Sequence, residues 1–388
     1  MNSAEKRCYT AWKTNPLIHK LTIQIQQQAT GGFMYLHNCW YVAAWNYEVT
    51  DGLVARTIIN EPIVLYRMEN GAIAALQDRC CHRSAPLSIG RKEGDSVRCM
   101  YHGLKFDSSG KCTEIPGQDT VPAQTCVRSF PVIEQHSWVW VWLGDPQQAD
   151  PALIPPAVGH DHPDWIFRSG SIEYQANYQL VNDNLLDFSH LYFLHPESFG
   201  MGIDWAHVRP KVSRLDRGVR VERWLPAQPT PNHIKGVVDS DTVDIFTAYD
   251  YLAPGVMVMN SYSFPRGTLE QFNGEKPQGV APITHDVTCQ AITPTNDDTS
   301  RYFFSWAPNR HALAGCSEKL ADDMIAIARM AFEEDRVMIE AQARVLQHTP
   351  NPKQVPIAFD NALSQMRWVL DKLKKEERAR AQQVATSQ

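Results

Sequence analysis

Two short cysteine–histidine pairs constrain the fold of this chain more than any other feature of its sequence. The first pair is Cys80 with His82, the second is Cys99 with His102, and 16 residues separate them. Turn signals and short β-like runs flank both pairs, so each pair is predicted to lie at the end of a β-hairpin. Two thiolates and two imidazoles can hold either a tetrahedral zinc ion or a two-iron cluster. This part of the chain is therefore expected to be antiparallel β structure that brings two loops together.

The order of the four ligands separates the two kinds of metal site. Zinc fingers usually pair cysteine with cysteine and histidine with histidine, whereas here each loop supplies one of each. A Rieske [2Fe–2S] centre needs this arrangement, because two sulfurs bind one iron and two imidazoles bind the other. Only Cys80 satisfies the Cys-x-His spacing, so Cys80 is the predicted ligand and Cys81 a neighbouring free thiol. Each residue taken alone could equally be an ordinary buried cysteine or core histidine.

The sequence around these ligands resembles a known family. The stretches 80–91 and 99–107 resemble the Rieske motifs of ring-hydroxylating and demethylating oxygenases, most closely the vanillate O-demethylase and dicamba monooxygenase group. In that group Leu commonly follows the His-Gly pair, as Leu104 does here. Respiratory-chain Rieske proteins join the two loops by a disulfide, and the corresponding residues here are Ala85 and Tyr101. The resemblance therefore implies an oxygenase-type cluster of lower potential.

A second group of metal-binding residues lies about 80 positions further along the chain. The segment 182–195 contains two histidines and two acids within 14 residues. Two histidines and one carboxylate form the facial triad of non-haem Fe(II) oxygenases, which leaves coordination positions open. Asp187 and His190 are three residues apart and would share one helix face, with His195 at or just beyond the helix end. The alternative is a helix with core aromatics and surface histidines.

The family resemblance extends to this segment. The residues Asn184 to His190, followed by His195, resemble the N-L-x-D-x-x-H-x4-H motif of the same family. The resemblance implies that His190 and His195 bind iron and that Asn184 and Asp187 belong to the catalytic machinery. Asp187 would be the acid that joins the iron site to a Rieske histidine, His102, of the next subunit. The resemblance thus also implies a ring of subunits, expected to be a homotrimer.

The third iron ligand should be an acid far along the chain, in a helix before the C-terminus. Glu333, Glu334 and Asp335 are consecutive and cannot be told apart by their chemistry, since an acidic helix face is usually just solvated. The resemblance of this segment to the corresponding family element selects Asp335. Asp335 is therefore the expected ligand.

The pattern of turns and prolines predicts three segments: an N-terminal extension (1–33), a Rieske domain (34–150) and a catalytic domain (151–388). The expected boundary is a proline-rich passage between Pro146 and Pro163. Beyond it the sequence predicts helices over 178–195, 317–346 and about 359–383, and strands over 210–224, 242–252, 255–264, 284–293 and 300–307. The resemblance implies an α+β protein: an all-β Rieske domain followed by a helix-grip domain, an antiparallel sheet with covering helices.

One β-hairpin in the first domain has a clear turn signal. The runs 62–68 and 72–76 flank Asn70-Gly71, a dipeptide typical of type I′ turns. The sequence therefore predicts two antiparallel strands joined by a type I′ turn.

Composition excludes several classes of protein. The chain has 37 Lys and Arg against 43 Asp and Glu, a net charge of −6 that argues against nucleic-acid binding and against a polybasic membrane anchor. No apolar run reaches the roughly 18 residues of a membrane-spanning helix, and no signal peptide is recognisable, so a cytoplasmic protein is expected. Nine scattered cysteines do not suggest a secreted disulfide framework.

The expected function is the terminal oxygenase of a multicomponent system. Electrons from NAD(P)H would come through a separate reductase or ferredoxin, because no nucleotide-binding fingerprint is present. The Rieske cluster would pass them to the mononuclear Fe(II), where O2 is activated. In the resembled group an aryl methyl ether is O-demethylated and formaldehyde is released. Ring hydroxylation and N-demethylation are alternatives, and a Rieske electron-transfer protein or a zinc-stabilised binding module is a more remote one.

The substrate is expected to be an aromatic small molecule. Asn260 and Gln290 are polar residues in largely apolar strands that resemble pocket-lining strands of the family. Such groups can orient an aromatic ligand, although a purely structural hydrogen-bonding role is an equal alternative.

Overall fold

The computed structural model describes four stretches of the chain: residues 35–231, 234–235, 237–349 and 352–386. The chain divides into two compact units. The first runs to Leu153 and includes the chain from Glu377 onward, and the second is Ile154–Glu376. The predicted N-terminal extension, residues 1–33, lies outside the described residues. Within the described stretches, no helix combines the length and the apolar character needed to cross a membrane.

The first unit is built from short antiparallel strands. Three sheets have the strand orders β1-β10-β9, β2-β3-β4 and β5-β6-β7-β8. The ten strands of its described residues are β1 (Trp40–Trp45), β2 (Val54–Ile58), β3 (Glu61–Arg67), β4 (Ile73–Gln77), β5 (Arg91–Glu93), β6 (Ser96–Arg98), β7 (Lys105–Phe106), β8 (Cys112–Glu114), β9 (Val132–Gln135) and β10 (Trp138–Trp142). The all-β prediction for this region is confirmed.

The core of the first unit reaches the two cysteine–histidine loops. Side chains from β3, β4, β6 and β7, such as Val64, Val97 and Phe106, pack in one buried cluster with Cys80 and Cys99. Burial of such aliphatic and aromatic groups contributes roughly 1.5–3 kcal/mol per side chain to folding. The two loops are therefore anchored through their buried cysteines in the core of the first unit.

The predicted β3–β4 hairpin is present, but its turn differs from the prediction. Arg67 pairs with Ile73, and the N–H of Gly71 donates to the Met68 carbonyl at 2.9 Å. A type I′ turn needs positive φ at both central residues. Gly71 has a φ of 86°, whereas Asn70 is not among the residues with positive φ. The type I′ prediction is wrong, because the hairpin loop is longer than two residues and uses only the glycine in the left-handed region.

The second unit contains one seven-stranded antiparallel sheet of order β11-β17-β16-β15-β14-β13-β12. Its strands are β11 (Arg168–Tyr174), β12 (Lys211–Leu215), β13 (Gly218–Pro229), β14 (Thr242–Leu252), β15 (Val256–Pro265), β16 (Thr284–Pro294) and β17 (Ser300–Pro308). The five predicted strand regions all lie in this sheet. The sequence prediction missed β11, and it merged β12 and β13, which form a hairpin, into one run.

Six α-helices occur in the described residues: α1 (Tyr178–Leu186), α2 (Leu191–Leu194), α3 (Asp204–His207), α4 (Thr268–Gln271), α5 (Glu318–His348) and α6 (Asn361–Thr386). The predicted helix over 178–195 is broken in the middle. Asp187 has extended backbone angles, and its carboxylate accepts the N–H of Ser189, which starts a 3-10 turn over Phe188–His190. This break turns the chain between α1 and α2 and sets the direction of both histidines.

One face of the sheet packs against the helices. Phe332 of α5 contacts the rings of Tyr302 and Phe304 on β17 at centroid distances of 4.9 and 4.8 Å. The hydroxyl of Tyr174 on β11 donates to the Phe332 carbonyl at 2.7 Å. We call this side the helix face. An antiparallel sheet with covering helices is the α+β architecture that the resemblance implies, and the predicted fold class is confirmed.

Candidate metal centres

The first cysteine–histidine loop connects β4 to β5 and is closed by main-chain hydrogen bonds. The N–H of Cys80 donates to the carbonyl of Ala85 at 2.8 Å, and the N–H of Ser84 donates back to the carbonyl of Cys80 at 3.0 Å. This tight closure requires a left-handed residue, and Ser84 has a φ of 58°. The loop therefore holds Cys80 at its base and carries His82 at its tip.

The second loop, between β6 and β7, repeats this pattern. The N–H of Cys99 donates to the main-chain carbonyl of Leu104 at 2.8 Å, and the N–H of Gly103 donates to the carbonyl of Cys99 at 2.9 Å. Gly103 occupies the left-handed position with a φ of 78°. A Cβ at this position would lie 2.6 Å from Cγ of Pro116, so the position also lacks room for a side chain. The two loops thus present their cysteine and histidine in the same way.

The four predicted Rieske ligands lie together. Cys80 and Cys99 are buried and their thiols are within hydrogen-bonding reach of each other. The rings of His82 and His102 are exposed, with centroids 4.5 Å apart. Two adjacent sulfurs inside and two adjacent imidazoles outside match a cluster with one sulfur-bound and one imidazole-bound iron. The donor set fits a Rieske [2Fe–2S] centre.

The adjacent thiols Cys80 and Cys81 have different surroundings. Cys80 is buried beside Cys99, whereas Cys81 is exposed. The hydrogen bond from Cys81 is the largest cause that lowers the pKa of the Cys80 thiol to about 5, and main-chain N–H groups of the loop add to it, against the effect of burial. The same bond raises the pKa of Cys81. The geometry thus favours Cys80 as the thiolate that faces the cluster position.

In the second unit, three of the predicted residues converge. Donor atoms of His190, His195 and Asp335 all lie within 4.8 Å of one another. The Nε2 atoms of His190 and His195 are 3.5 and 3.3 Å from the same carboxylate oxygen, Oδ1 of Asp335. The break after α1 supplies the histidines, and the buried face of α5 supplies the acid.

The other nitrogen of each imidazole has a fixed partner. Nδ1 of His190 donates to the main-chain carbonyl of Asp187 at 2.5 Å, and Nδ1 of His195 is 2.7 Å from Oε2 of Glu334. Because both partners accept hydrogen bonds, the Nδ1 atoms carry the hydrogens and the Nε2 lone pairs point at the shared centre. Nε2 of His195 is buried beside Oδ1 of Asp335 and has no well-aligned hydrogen-bond partner among the described residues. An imidazole lone pair aimed at a carboxylate oxygen in this way fits a metal ion bound between the two.

The charges at this site suit a metal as well. Burial lowers the pKa of His190, which keeps its imidazole neutral as metal binding requires. At His195 burial also acts to lower the pKa, but the hydrogen bonds and negative charges of Asp335 and Glu334 outweigh it and raise the pKa. A metal cation would take the place of that proton between the imidazole and Asp335.

The remaining acids and amides near the site have distinct roles. Asn184 donates its side-chain N–H to Oδ1 of Asp335 at 2.8 Å and lies 3.4 Å from Nε2 of His190, so it orients the carboxylate. Asp187 contributes its carbonyl to His190, while its carboxylate accepts from Ser189. Glu333, which the sequence could not separate from Asp335, instead forms a surface pair with Arg336.

Sequence reasoning missed Glu334 as a part of this site. Its Oε2 accepts from the hydroxyl of Ser198 at 2.6 Å as well as from His195, so the carboxylate is itself held in place. The only signal in the sequence is its position next to Asp335 on the helix. Consecutive side chains on a helix point about 100° apart. The sequence does not show that the imidazole of His195 lies between the side chains of Glu334 and Asp335.

The two predicted substrate residues point to opposite sides of the sheet. Gln290 pairs with Phe304 on the helix face, where the side-chain Oε1 of Gln290 accepts a hydrogen bond from the hydroxyl of Tyr302 at 2.6 Å. Asn260 lies directly opposite Val287 and bonds His285 on the other face, at 2.9 Å. The structure therefore does not bring Asn260 and Gln290 together, and it places Asn260 away from the metal ligands.

Comparison with known proteins agrees with both centres. Residues 39–131 match the family model described as Rieske [2Fe-2S] domain, and residues 174–376 match that of the vanillate O-demethylase oxygenase C-terminal domain. The iron–sulfur subunit TsaM1 of the toluene-4-sulfonate monooxygenase system from Comamonas testosteroni is 43% identical over 349 residues, 89% of this chain and 98% of the relative.

A vanillate O-demethylase oxygenase subunit from a Pseudomonas species is 31% identical over 348 residues, 88% of this chain and 95% of its own. The crystal structure of dicamba monooxygenase bound to 3,6-dichlorosalicylic acid superposes with a TM-score of 0.78 at 28% identity, covering 88% of this chain and 98% of that one. The chain thus belongs to the Rieske non-haem iron oxygenases, enzymes that carry a Rieske [2Fe–2S] cluster and a mononuclear iron, and has the C-terminal domain of the vanillate O-demethylase type.

Proposed function

We propose that this protein is the terminal oxygenase of a multicomponent system and oxidises a methyl carbon of an aromatic substrate. The convergence of His190, His195 and Asp335, in a chain that also pairs two cysteine–histidine loops, carries this proposal. A pure electron-transfer protein would have no use for a second, buried ligand set.

Each residue set has a defined task. Cys80, His82, Cys99 and His102 would hold the cluster, and His190, His195 and Asp335 would hold the mononuclear iron. When bound, the cluster supplies single electrons and the iron supplies oxygen activation, which are chemistries that no side chain provides. Three protein ligands leave coordination positions open.

The protein fixes the geometry of this site and makes one of its sides apolar. The main-chain carbonyl of Asp187 and the carboxylate of Glu334 hold the two imidazoles, and Asn184 holds the acid. Next to His195 the ring of Phe199 lies at a centroid distance of 5.4 Å, followed by Trp306 at 6.5 Å from Phe199. These rings make that side of the site apolar.

Electrons would come from a separate reductase or ferredoxin that uses NAD(P)H. The exposed ring of His82 supports such a partner, because it would bring the cluster close to the surface of the first unit. Ile89, Met100 and Tyr101 are exposed apolar side chains of the same loops. Exposed apolar groups of this kind are typical of a surface that contacts another protein.

Two reactions at a methyl carbon are compatible with the comparisons. O-demethylation of an aryl methyl ether, which releases formaldehyde, agrees with the vanillate O-demethylase relative. Hydroxylation of a ring methyl group is the second candidate, because toluene-4-sulfonate has a ring methyl but no ether oxygen. The relative named for toluene-4-sulfonate is 43% identical to this chain, against 31% for the vanillate O-demethylase subunit.

The test is turnover of the purified protein with NADH and a surrogate reductase. Matched pairs such as 4-methoxybenzoate and 4-methylbenzoate would be compared for formaldehyde, hydroxymethyl product and oxygen consumption. Formaldehyde from the ether supports demethylation, and a benzylic alcohol from the methylarene supports methyl hydroxylation. A phenol that keeps its methyl group, with neither other product, would contradict both and favour ring hydroxylation.

A further inference from the structure

A row of four polar side chains crosses the helix face of the sheet. Arg223 on β13 pairs with Thr247, Thr247 with Ser261, and Ser261 with Asp286. Residues directly opposite each other in an antiparallel sheet point to the same side. Tyr249, two residues after Thr247, fixes that side, because its hydroxyl donates to a main-chain carbonyl at the end of α1 at 3.3 Å. The row therefore faces the layer that carries the iron ligands.

Arg223 is a buried cation that has no paired carboxylate among the described residues. Its side chain is only 5% exposed, Nη1 makes a long hydrogen bond of 3.3 Å to the Trp205 carbonyl, and the guanidinium lies 5.3 Å from the Trp205 ring centroid. Nε has no hydrogen-bond partner. In the described part of the chain, Asp187 is the carboxylate that acts on Arg223, and it does so through its charge without a hydrogen bond. Buried arginines are normally paired, because an unpaired charge is costly to remove from water.

The nearby charges do not fill this role. Burial lowers the pKa of Arg223, and Tyr249 and Asp187 act in the opposite direction without a hydrogen bond to it. Tyr249 is neutral, because burial raises the pKa of its hydroxyl well above the usual range. The carboxylate of Asp187 is already engaged by the N–H and hydroxyl of Ser189, at 2.8 and 3.0 Å. An arginine keeps its proton even when buried. The guanidinium therefore stays charged and has donors to spare.

The position of Arg223 relates it to the iron site. Phe188 packs on Trp205 at 6.2 Å and on Tyr249 at 5.0 Å between ring centroids, and the Trp205 ring lies beside the guanidinium of Arg223. Phe188 precedes His190 by two residues in the same 3-10 turn. Phe188 thus connects Trp205, which contacts the guanidinium, to the turn that presents the first histidine.

We propose that Arg223 binds the anionic group of the substrate, which is therefore an aromatic sulfonate or carboxylate. Guanidinium nitrogens match the paired oxygens of such anions and bind them by charge-assisted hydrogen bonds. Asp286, at the far end of the row, is bonded by the indole N–H of Trp306 at 3.2 Å and would repel an anion. The acid group is thus directed to the Arg223 end. This inference rests on the proposed function, and the toluene-4-sulfonate and vanillate relatives are named for acids of this class.

The test compares anionic and neutral ligands of one shape. Dissociation constants of toluene-4-sulfonate and its neutral sulfonamide are measured by calorimetry on the purified holoenzyme, for wild type and for Arg223→Leu and Arg223→Gln. Loss of a charge-assisted pair should weaken sulfonate binding about 30- to 100-fold. Sulfonamide binding should change by less than about threefold, since it needs no counter-ion. Arg223→Lys keeps the charge and should give an intermediate affinity.

Arg220→Leu is the matched control, because Arg220 is on the same strand but on the other face, in an exposed pair with Asp250 at 2.6 Å. It should leave both affinities unchanged. Equal weakening of sulfonate and sulfonamide would show that Arg223 only supports Trp205, and unchanged sulfonate binding in Arg223→Gln would overturn the proposal. If Arg223→Leu fails to fold, Arg223→Gln decides. Wild-type protein that turns over no aromatic methyl compound would instead refute the proposed function itself.

Discussion

The two candidate metal-binding regions of this protein hold their expected ligands by different means. In the first unit, main-chain hydrogen bonds close two similar loops around Cys80 and Cys99, and all four ligands lie between Cys80 and His102. In the second unit, the ligands come from a broken helix and from a distant helix, and side chains such as Glu334 complete their orientation. The first region depends on local backbone geometry, and the second depends on tertiary packing.

This difference predicts how each region responds to substitution. A site fixed by its loops should tolerate changes in neighbouring side chains and fail completely when a ligand is lost. A site fixed by packed side chains should show graded losses, because each orienting group carries part of the geometry.

The largest expected effect is the loss of a cluster ligand. Cys80→Ala should abolish the visible absorbance and the EPR signal of the Rieske centre, since one iron would lose a sulfur ligand. Cys81→Ala is the control and should keep both signals, because Cys81 is exposed. A colourless Cys81→Ala protein would show that the ligand register is shifted by one residue.

The next effect concerns the acid of the second region. Asp335→Ala should lose the mononuclear iron and reduce turnover by more than the about 100-fold typical of groups that only orient ligands. The visible spectrum of the cluster should persist. Metal analysis and turnover of Glu333→Ala provide the comparison, since Glu333 pairs with Arg336 on the surface. Iron retained in Asp335→Ala would remove this residue from the ligand set.

A third prediction joins the two regions across subunits of a homotrimer, as the family resemblance implies for Asp187 and His102. Asp187→Asn should keep both metals and yet lose about 100-fold or more in turnover, because electron delivery needs the charged acid. Co-expression of Cys80→Ala and His190→Ala chains should restore part of the activity that each lacks alone. Mixed assemblies that remain inactive, beside active wild-type controls, would argue for transfer within one chain.

The smallest effect is expected at Glu334. Glu334→Gln should lower iron affinity about 10- to 100-fold, because the amide holds His195 less firmly than the carboxylate does. Iron titration with a competing chelator measures it, and Glu333→Gln is the matched control. An affinity equal to wild type would mean that Ser198 and packing alone position the imidazole.

What the sequence could and could not predict follows the same division. The proximity of Cys80, His82, Cys99 and His102 could be predicted because their spacing is local and their chemistry is unusual. Asp335 could not be separated from Glu333 and Glu334 by chemistry, so its choice depended on the resemblance. Only the structure shows that Asp335 reaches both histidines, that Glu334 holds His195 and that Glu333 faces solvent.

The substrate residues illustrate what the sequence leaves open. Asn260 and Gln290 both look like polar residues in apolar strands, yet strand register puts them on opposite faces. A shift of one residue in register reverses the side on which a strand presents each residue. Arg223 was overlooked for a related reason. An arginine next to Glu222 in a strand is expected to be exposed, and only the strand pairing shows that its side chain is buried.

The two cluster loops, alike in hydrogen bonding, differ in the evolutionary freedom that they leave. The left-handed position of the first loop already carries a side chain, Ser84, so asparagine or glycine can replace it at modest cost. At the equivalent Gly103, an added Cβ would lie 2.6 Å from Cγ of Pro116, so a side chain there would force a neighbour to move. Variation that adjusts the cluster's surroundings should therefore accumulate in the first loop, while the second stays fixed across descendants of this sequence.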